Sequence, residues 1–124
     1  MLTVNPETKI QNACFLAVGS RRDALIFRQQ SGVFRAMDSD RAIKVGVPGM
    51  SDALAVVSVT ITPDMVGKTI AVAVFPEFKT KTGKQAEAQN NFQRAVQSRG
   101  AVYRLVRSVD EMLALVDDVQ AGRW

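Results

Sequence analysis

The sequence predicts an α/β domain with a mixed β-sheet flanked by helices. Three observations support this prediction. A segment with helical apolar spacing opens the chain, segments rich in Val, Ile and Thr occupy its middle, and two further helical segments enclose a short strand near its end. The chain has 124 residues, 47% of them hydrophobic, which suits one ordinary domain with a core. Because no repeat or break in composition interrupts it, we expect residues 1–124 to form a single domain.

The first half of the chain is predicted to hold one helix and several short strands. Asn5 is a typical N-cap and Pro6 suits the first helical turn, whereas Gly19 is a typical helix stop. Strands are expected at 24–28 and 33–37 around a turn at Gln30, Ser31 and Gly32, and at 42–45 within a loop-rich region.

The second half begins with the two strongest predicted strands, 53–62 and 69–79. The turn-like segment 63–68 between them predicts a β-hairpin. A helix over 85–99 that ends at Gly100, a strand over 101–106 and a final helix that starts at Ser108 complete the order. Apolar spacing predicts the buried face of that last helix as Met112, Leu113, Leu115, Val116 and Val119.

Composition excludes several kinds of chemistry. The chain has no histidine and one cysteine, Cys14, so it cannot build a Ser-His-Asp triad, a zinc-histidine site or an internal disulfide. Any catalysis would need carboxylates, lysines, hydroxyls, amides or a hard metal ion. The net charge of +4 is typical of a soluble domain with a mildly basic surface and is also compatible with a polyanionic partner such as nucleic acid. No apolar run is long enough to span a bilayer and residues 1–9 show no secretory signal, so we expect a cytoplasmic protein without membrane association.

The segment Glu77-Phe78-Lys79 at the end of a predicted strand is the first candidate site. Alternation along a strand places Glu77 and Lys79 on one face and directs Phe78 toward the core. A carboxylate beside a lysine suits metal-assisted phosphodiester hydrolysis. The alternative is a plain same-face ion pair, worth less than about 1 kcal/mol.

Asp52 is the second candidate, at the end of a Gly-rich loop that leads into the strand at 53–62. If that strand pairs with 69–79 as a hairpin, Asp52 and Glu77 lie at the same open end of the sheet. The two carboxylates could then share one cation with the carbonyl of Phe78. The alternative is an ordinary turn residue.

These segments together resemble the VRR-NUC (virus-type replication-repair nuclease) family of the PD-(D/E)XK nuclease superfamily. The resemblance rests on residues 46–52 (GVPGMSD), 77–84 (EFKTKTGK), Gln89, 99–111 (RGAVYRLVRSVDE) and 28–32 (RQQSG). It implies the restriction-endonuclease-like PD-(D/E)XK fold and a nuclease of the stand-alone phage or bacterial type, acting in the cytoplasm of a bacterium or a phage-infected host cell.

Roles follow from the resemblance residue by residue. Asp52 and Glu77 would bind Mg²⁺ or Mn²⁺ together with the Phe78 carbonyl, and Glu7 on the first helix could add a ligand. Lys79 would be the catalytic lysine, and Gln89 would support the site or a phosphate, which makes Asp52, Glu77, Lys79 and Gln89 the catalytic set. Pro76 departs from the family pattern. Because proline cannot donate to a strand ladder, it implies a bulge or an edge position.

The implied partner is branched DNA, cut by a homodimer that resolves Holliday junctions. Lys81 and Lys84 beside the site, and Arg28 near the first turn, are the candidate nucleic-acid contacts. Other basic residues fit a phosphate-tracking surface or are ordinary surface charges: Arg35, Arg94, Arg99, Arg104 and Arg107. Two alternatives stay open, a monomeric flap or end-processing nuclease and a non-catalytic nucleic-acid-binding phage protein.

Overall fold

The computed structural model of the chain describes residues 5–30 and 32–124 and is a mixed α/β structure. In these residues three helices combine with six strands that form three two-stranded sheets, in place of the single mixed sheet that was predicted. Ser31 of the predicted turn lies outside the described residues. The chain divides into two compact units, Met1–Val57 (the N-terminal unit) and Ser58–Trp124 (the C-terminal unit).

The N-terminal unit contains one helix and two antiparallel strand pairs. Helix α1 begins as predicted, because the Asn5 side chain accepts a hydrogen bond of 2.8 Å from the backbone N–H of Glu7. The elements are α1 (Pro6–Gly19), β1 (Ala24–Arg28), β2 (Gly32–Arg35), β3 (Ala42–Val45) and β4 (Ala53–Val57). Strand β1 pairs with β4, and β2 pairs with β3.

The predicted hairpin between 53–62 and 69–79 is wrong. Strand β4 pairs with β1, with Ala24 opposite Val57 and Arg28 opposite Ala53. The segment 58–62 lies outside the strands, and Pro63–Met65 forms one turn of 3₁₀ helix. The β-propensity of a segment indicates that it fits a pleated sheet but does not identify its partner strand. The sequence therefore predicted the wrong partner for 53–62.

The C-terminal unit is built on a parallel pair of strands joined by a helix. Its elements are β5 (Val74–Phe78), α2 (Glu87–Gln97), β6 (Val102–Val106) and α3 (Val109–Gln120). Strands β5 and β6 run parallel with Glu77 opposite Leu105, as a β-α-β crossover requires. Among the described residues, no helix combines the length and apolar character needed to cross a bilayer.

Side chains cover both faces of the β5–β6 pair. On one face Val102, Val106 and Leu115 are buried, and partly buried apolar residues pack against them: Val72, Val74, Met112 and Val119. On the other face the ring of Phe92 from α2 packs against Phe75 and Tyr103. The predicted buried face of α3 is therefore too wide, since Leu113 and Val116 are exposed.

The ends of the two C-terminal helices follow their sequence signals. Gly100 adopts φ +91°, and the N–H of Ala101 donates to the carbonyl of Val96 at 3.1 Å, which closes α2 with a left-handed cap. The Ser108 hydroxyl accepts from the N–H of Glu111 at 3.1 Å and caps α3. The end of α2 leads directly into strand β6, and the start of α3 follows directly after it.

Candidate active site

Glu77 and Lys79 lie on the same face at the carboxyl end of β5. The Lys79 ammonium nitrogen Nζ is 3.6 Å from Glu77 Oε1, and the two side chains are 20% and 29% exposed, respectively. The backbone N–H of Lys79 donates to the carbonyl of Val106 at 3.1 Å, so the pairing with β6 extends one residue past the strand. Both functional side chains are therefore attached to paired backbone rather than to a free loop.

Gln89 reaches the same carboxylate from the first turn of α2. Its Nε2 donates to Glu77 Oε1 at 2.5 Å, and its Oε1 accepts from the N–H of Ala86 at 2.9 Å. These two bonds fix the orientation of the amide, because its nitrogen can only donate and its oxygen can only accept. The structure thus brings together Glu77, Lys79 and Gln89, three of the four residues of the predicted catalytic set.

The Glu77 carboxylate uses its two oxygens differently. Oε1 receives both the Gln89 amide and the Lys79 ammonium. In the part of the chain that the structure describes, Oε2 accepts no hydrogen bond. One oxygen is therefore held in place by protein groups, and the other can take an external ligand.

An apolar recess of about 350 Å³ adjoins this cluster between α2 and the strands. Phe75 and Phe92 form part of its wall, with their ring centroids 5.3 Å apart and nearly perpendicular. Glu77 and Gln89 also line it. The Glu77 side chain is partly buried beside this recess, and electrostatic interactions are stronger where water is partly excluded.

The end of β5 confirms one sequence prediction and corrects another. The carbonyl of Ala73 and the N–H of Lys79 both bond to β6, so the backbone N–H and C=O groups of the odd-numbered residues point toward β6. The backbone nitrogen of Pro76 therefore points to the side of β5 away from β6, where no hydrogen is needed for the pairing. Pro76 therefore occupies the predicted edge position. Phe78 does point away from the Glu77 face, but it is 67% exposed and not in the core, because it stands at the last residue of the strand.

The segment 80–84 after β5 carries the two lysines predicted to contact nucleic acid. Lys81 and Lys84 are both exposed. Arg107 lies against this segment, where its Nη1 donates to the carbonyls of Thr80 and Gly83. Nη1 of its guanidinium thus bonds to two backbone carbonyls. The sequence did not reveal this contact, because 27 residues separate Arg107 from Thr80.

The remaining site candidates belong to the N-terminal unit. Asp52 precedes β4 and is exposed, and its carbonyl accepts from the N–H of Gln29 at 2.8 Å. Glu7 lies exposed in the first turn of α1, and Arg28 is the exposed last residue of β1. The hairpin that was to place Asp52 beside Glu77 does not form, so the roles of Asp52, Glu7 and Arg28 stay predictions.

Within residues 5–30 and 32–124, no three Asp, Glu, Cys or His side chains gather into a group that could hold a metal ion. Comparison with protein-family models, curated proteins and solved structures finds no match to the chain. The resemblance to the VRR-NUC family accordingly stays a prediction.

Proposed function

We propose that the chain is a metal-dependent DNA endonuclease of the VRR-NUC type that hydrolyses phosphodiesters in branched DNA. The observation that carries the proposal is the cluster of Glu77, Lys79 and Gln89 at the end of β5. Three residues to which the resemblance gives catalytic roles meet at one carboxylate, because Lys79 and Gln89 each contact Glu77 Oε1. The PD-(D/E)XK fold belongs to this proposal as well.

The donor atoms at Glu77 suit a hard divalent cation. Mg²⁺ binds oxygen ligands, keeps several waters and often uses only one or two protein carboxylates together with substrate phosphates. Glu77 offers Oε2 for this purpose, since Oε1 is occupied by Gln89 and Lys79. The Phe78 carbonyl, at the next residue of the same strand, is the further proposed ligand of Mg²⁺ or Mn²⁺.

Each residue of the cluster has a distinct task in hydrolysis. A bound Mg²⁺ or Mn²⁺ would supply Lewis acidity toward the phosphate and lower the pKa of a water. Lys79 carries its positive charge beside Glu77, where it orients the attacking water and offsets negative charge that develops on the phosphate oxygens. Gln89 holds the Glu77 carboxylate in one orientation by donating to Oε1.

The proposed substrate follows from the charges next to the cluster. Lys81 and Lys84 project from the segment directly after Lys79 and would bind the DNA backbone. We propose a homodimer acting on four-way junctions, because two-fold symmetry supplies one site for each of two strands. A monomer in light scattering, at concentrations at which junctions are cut in pairs, would contradict the dimer and favour a flap or end-processing nuclease.

Cleavage of labelled branched DNA with Mg²⁺, with Mn²⁺ and with EDTA tests the proposal. Glu77→Gln and Lys79→Ala should each lower the cleavage rate by about 100-fold or more, the usual effect of removing a group that stabilises transition-state charge. Glu87→Gln and Lys68→Ala are matched controls on exposed side chains of the same unit, and they should cleave like the parent protein. Cleavage that survives both Glu77→Gln and Lys79→Ala would contradict the site.

One observation favours a second candidate function, a non-catalytic nucleic-acid-binding protein. The described residues gather no group of three acidic side chains, and the Glu77–Lys79 contact is also compatible with a simple ion pair. This alternative predicts DNA binding that EDTA leaves unchanged, no cleavage with either metal, and parental DNA affinity in Glu77→Gln.

A further inference from the structure

We propose that Arg107 is a positioning residue that clamps the turn at 80–83 and thereby holds Lys79 against Glu77. The proposal rests on the nuclease function of the Glu77–Lys79–Gln89 cluster and adds a residue to it. It replaces the sequence-based expectation that Arg107 is a phosphate contact or an ordinary surface charge.

The clamp joins both ends of one turn. The N–H of Gly83 donates to the carbonyl of Thr80 at 3.2 Å, which closes the turn. Arg107 Nη1 donates to the same Thr80 carbonyl and, at 3.0 Å, to the carbonyl of Gly83. A charged donor shared between two carbonyls gives stronger hydrogen bonds than neutral partners would.

Arg107 itself is anchored at the start of α3. Its backbone N–H donates to Glu111 Oε2 at 2.6 Å, and the N–H of Glu111 donates to the Ser108 hydroxyl at 3.1 Å. Arg107 also follows Val106, whose carbonyl accepts from the N–H of Lys79. The clamp therefore connects the turn to the end of β6 and to a capped helix.

The turn lies directly against the side chain of Lys79. A Cβ atom added at Gly83 would stand 3.5 Å from both Cβ and Cδ of Lys79 and 3.2 Å from the Thr80 hydroxyl. Gly83 thus packs against the aliphatic stem of Lys79, whose ammonium extends to Glu77. Because Arg107 fixes the carbonyl of Gly83, it limits how far this stem can move.

A direct role for Arg107 in phosphate binding fits the structure less well. Its side chain is only partly exposed, and Nη1 is engaged with carbonyls that a phosphate would have to displace. Lys81, in contrast, is exposed on the clamped turn. Arg107 therefore acts on the substrate only through the residues that it holds in place.

The test compares Arg107→Ala and Arg107→Lys with Arg123→Ala, a control whose exposed guanidinium donates to the Asp118 carboxylate at 2.9 Å. Arg107→Ala should lower kcat on branched DNA by about 10- to 100-fold, because small misplacements of catalytic groups have effects of this size. DNA affinity and its salt dependence should stay unchanged. Arg107→Lys should not restore kcat, since the lysine ammonium ends one bond short of the position from which Nη1 reaches both carbonyls. Gly83→Ala should give a smaller loss with Arg107 intact.

A phosphate-contact role predicts the opposite pattern. Arg107→Ala would then weaken DNA binding, lower the slope of log affinity against log salt by about one, and be rescued by lysine. That result would overturn the clamp, as would an Arg107→Ala variant with parental kcat.

Hydrogen exchange separates this proposal from the nuclease function. In Arg107→Ala the Gly83 amide should exchange about tenfold faster or more, whereas amides of β6 keep their protection and show that the variant is folded. The same amide in Arg123→Ala should match the parent. If the parent protein cleaves no DNA, the proposed function fails while this measurement still decides the clamp, and unchanged Gly83 exchange overturns it.

Discussion

The two compact units of the chain differ sharply in how they bury apolar side chains. In the C-terminal unit the buried residues come from α2, β6, α3 and the residue before β6, and they include Val96, Val102, Tyr103, Val106 and Leu115. In the described part of the N-terminal unit, the buried residues are Ala24, Ala36 and Val56. Helix α1 has no buried residue, and every residue of β2 and β3 is exposed.

This difference follows from topology rather than from composition. A parallel strand pair needs a crossover helix, and α2 in that crossover covers one face of β5–β6 while α3 covers the other. An antiparallel pair such as β2–β3 forms through a short connection and needs no covering helix. The candidate site stands on the covered pair, where packing holds the side chains of Glu77, Lys79 and Gln89 in one arrangement.

The largest expected effect contrasts two leucines in the two units. Leu115→Ala should lower the free energy of unfolding by about 2–5 kcal/mol, because Leu115 is 5% exposed within the core between α3 and the strands. Leu16→Ala on α1 should change it by less than about 0.5 kcal/mol, since Leu16 is 80% exposed. Urea unfolding monitored by circular dichroism measures both. A large loss for Leu16→Ala would show that Leu16 is buried in solution.

A smaller effect separates the two helix caps. Ser108→Ala removes the acceptor for the N–H of Glu111, and the loss of such a cap costs about 1 kcal/mol. Asn5→Ala removes the acceptor for the N–H of Glu7, but α1 buries no residue, so the change should fray α1 and leave the unfolding midpoint nearly unchanged. Denaturation midpoints together with exchange of the α1 amides test this. Equal shifts in midpoint would contradict the contrast between the units.

The smallest effect concerns a surface pair of the N-terminal unit. The Arg21 guanidinium donates to both oxygens of Asp23 at 2.7 Å, and this bond lowers the pKa of the Asp23 carboxyl. A carboxyl with a lowered folded-state pKa stabilises the fold above its unfolded pKa and loses that contribution as the pH falls through the folded value. Arg21→Ala should raise the pKa of Asp23 in a carboxyl NMR titration, with little change in stability, since the pair is exposed. An unchanged Asp23 titration would show that the bond is absent in solution.

Local signals in the sequence were sufficient for the order of the elements, for the helix ends at Asn5, Gly100 and Ser108, and for the contact between Glu77 and Lys79. The caps at Asn5 and Ser108 and the stop at Gly100 are set by hydrogen bonds and backbone freedom within a few residues, and all three are confirmed. Glu77 and Lys79 share a face because side chains alternate along a strand, which requires only that the strand form.

Strand partners and distant contacts could not be predicted in this way. The pairing of β4 with β1 rather than with β5, the exposure of Phe78 and the approach of Arg107 to Thr80 and Gly83 depend on which segments pack together. Segment 53–62 has the same β-propensity whichever strand lies beside it, so its own residues do not determine which strand it pairs with. The sequence by itself determined the order of the helices and strands and that Glu77 and Lys79 share a face, although the strands predicted at 53–62 and 69–79 form only over Ala53–Val57 and Val74–Phe78. Only the tertiary structure decided that Gln89 bonds to the Glu77 carboxylate and that Arg107 bonds to the turn at 80–83. Both contacts join segments that are distant in sequence. The β5–α2–β6 crossover and the start of α3 bring these segments within hydrogen-bonding distance.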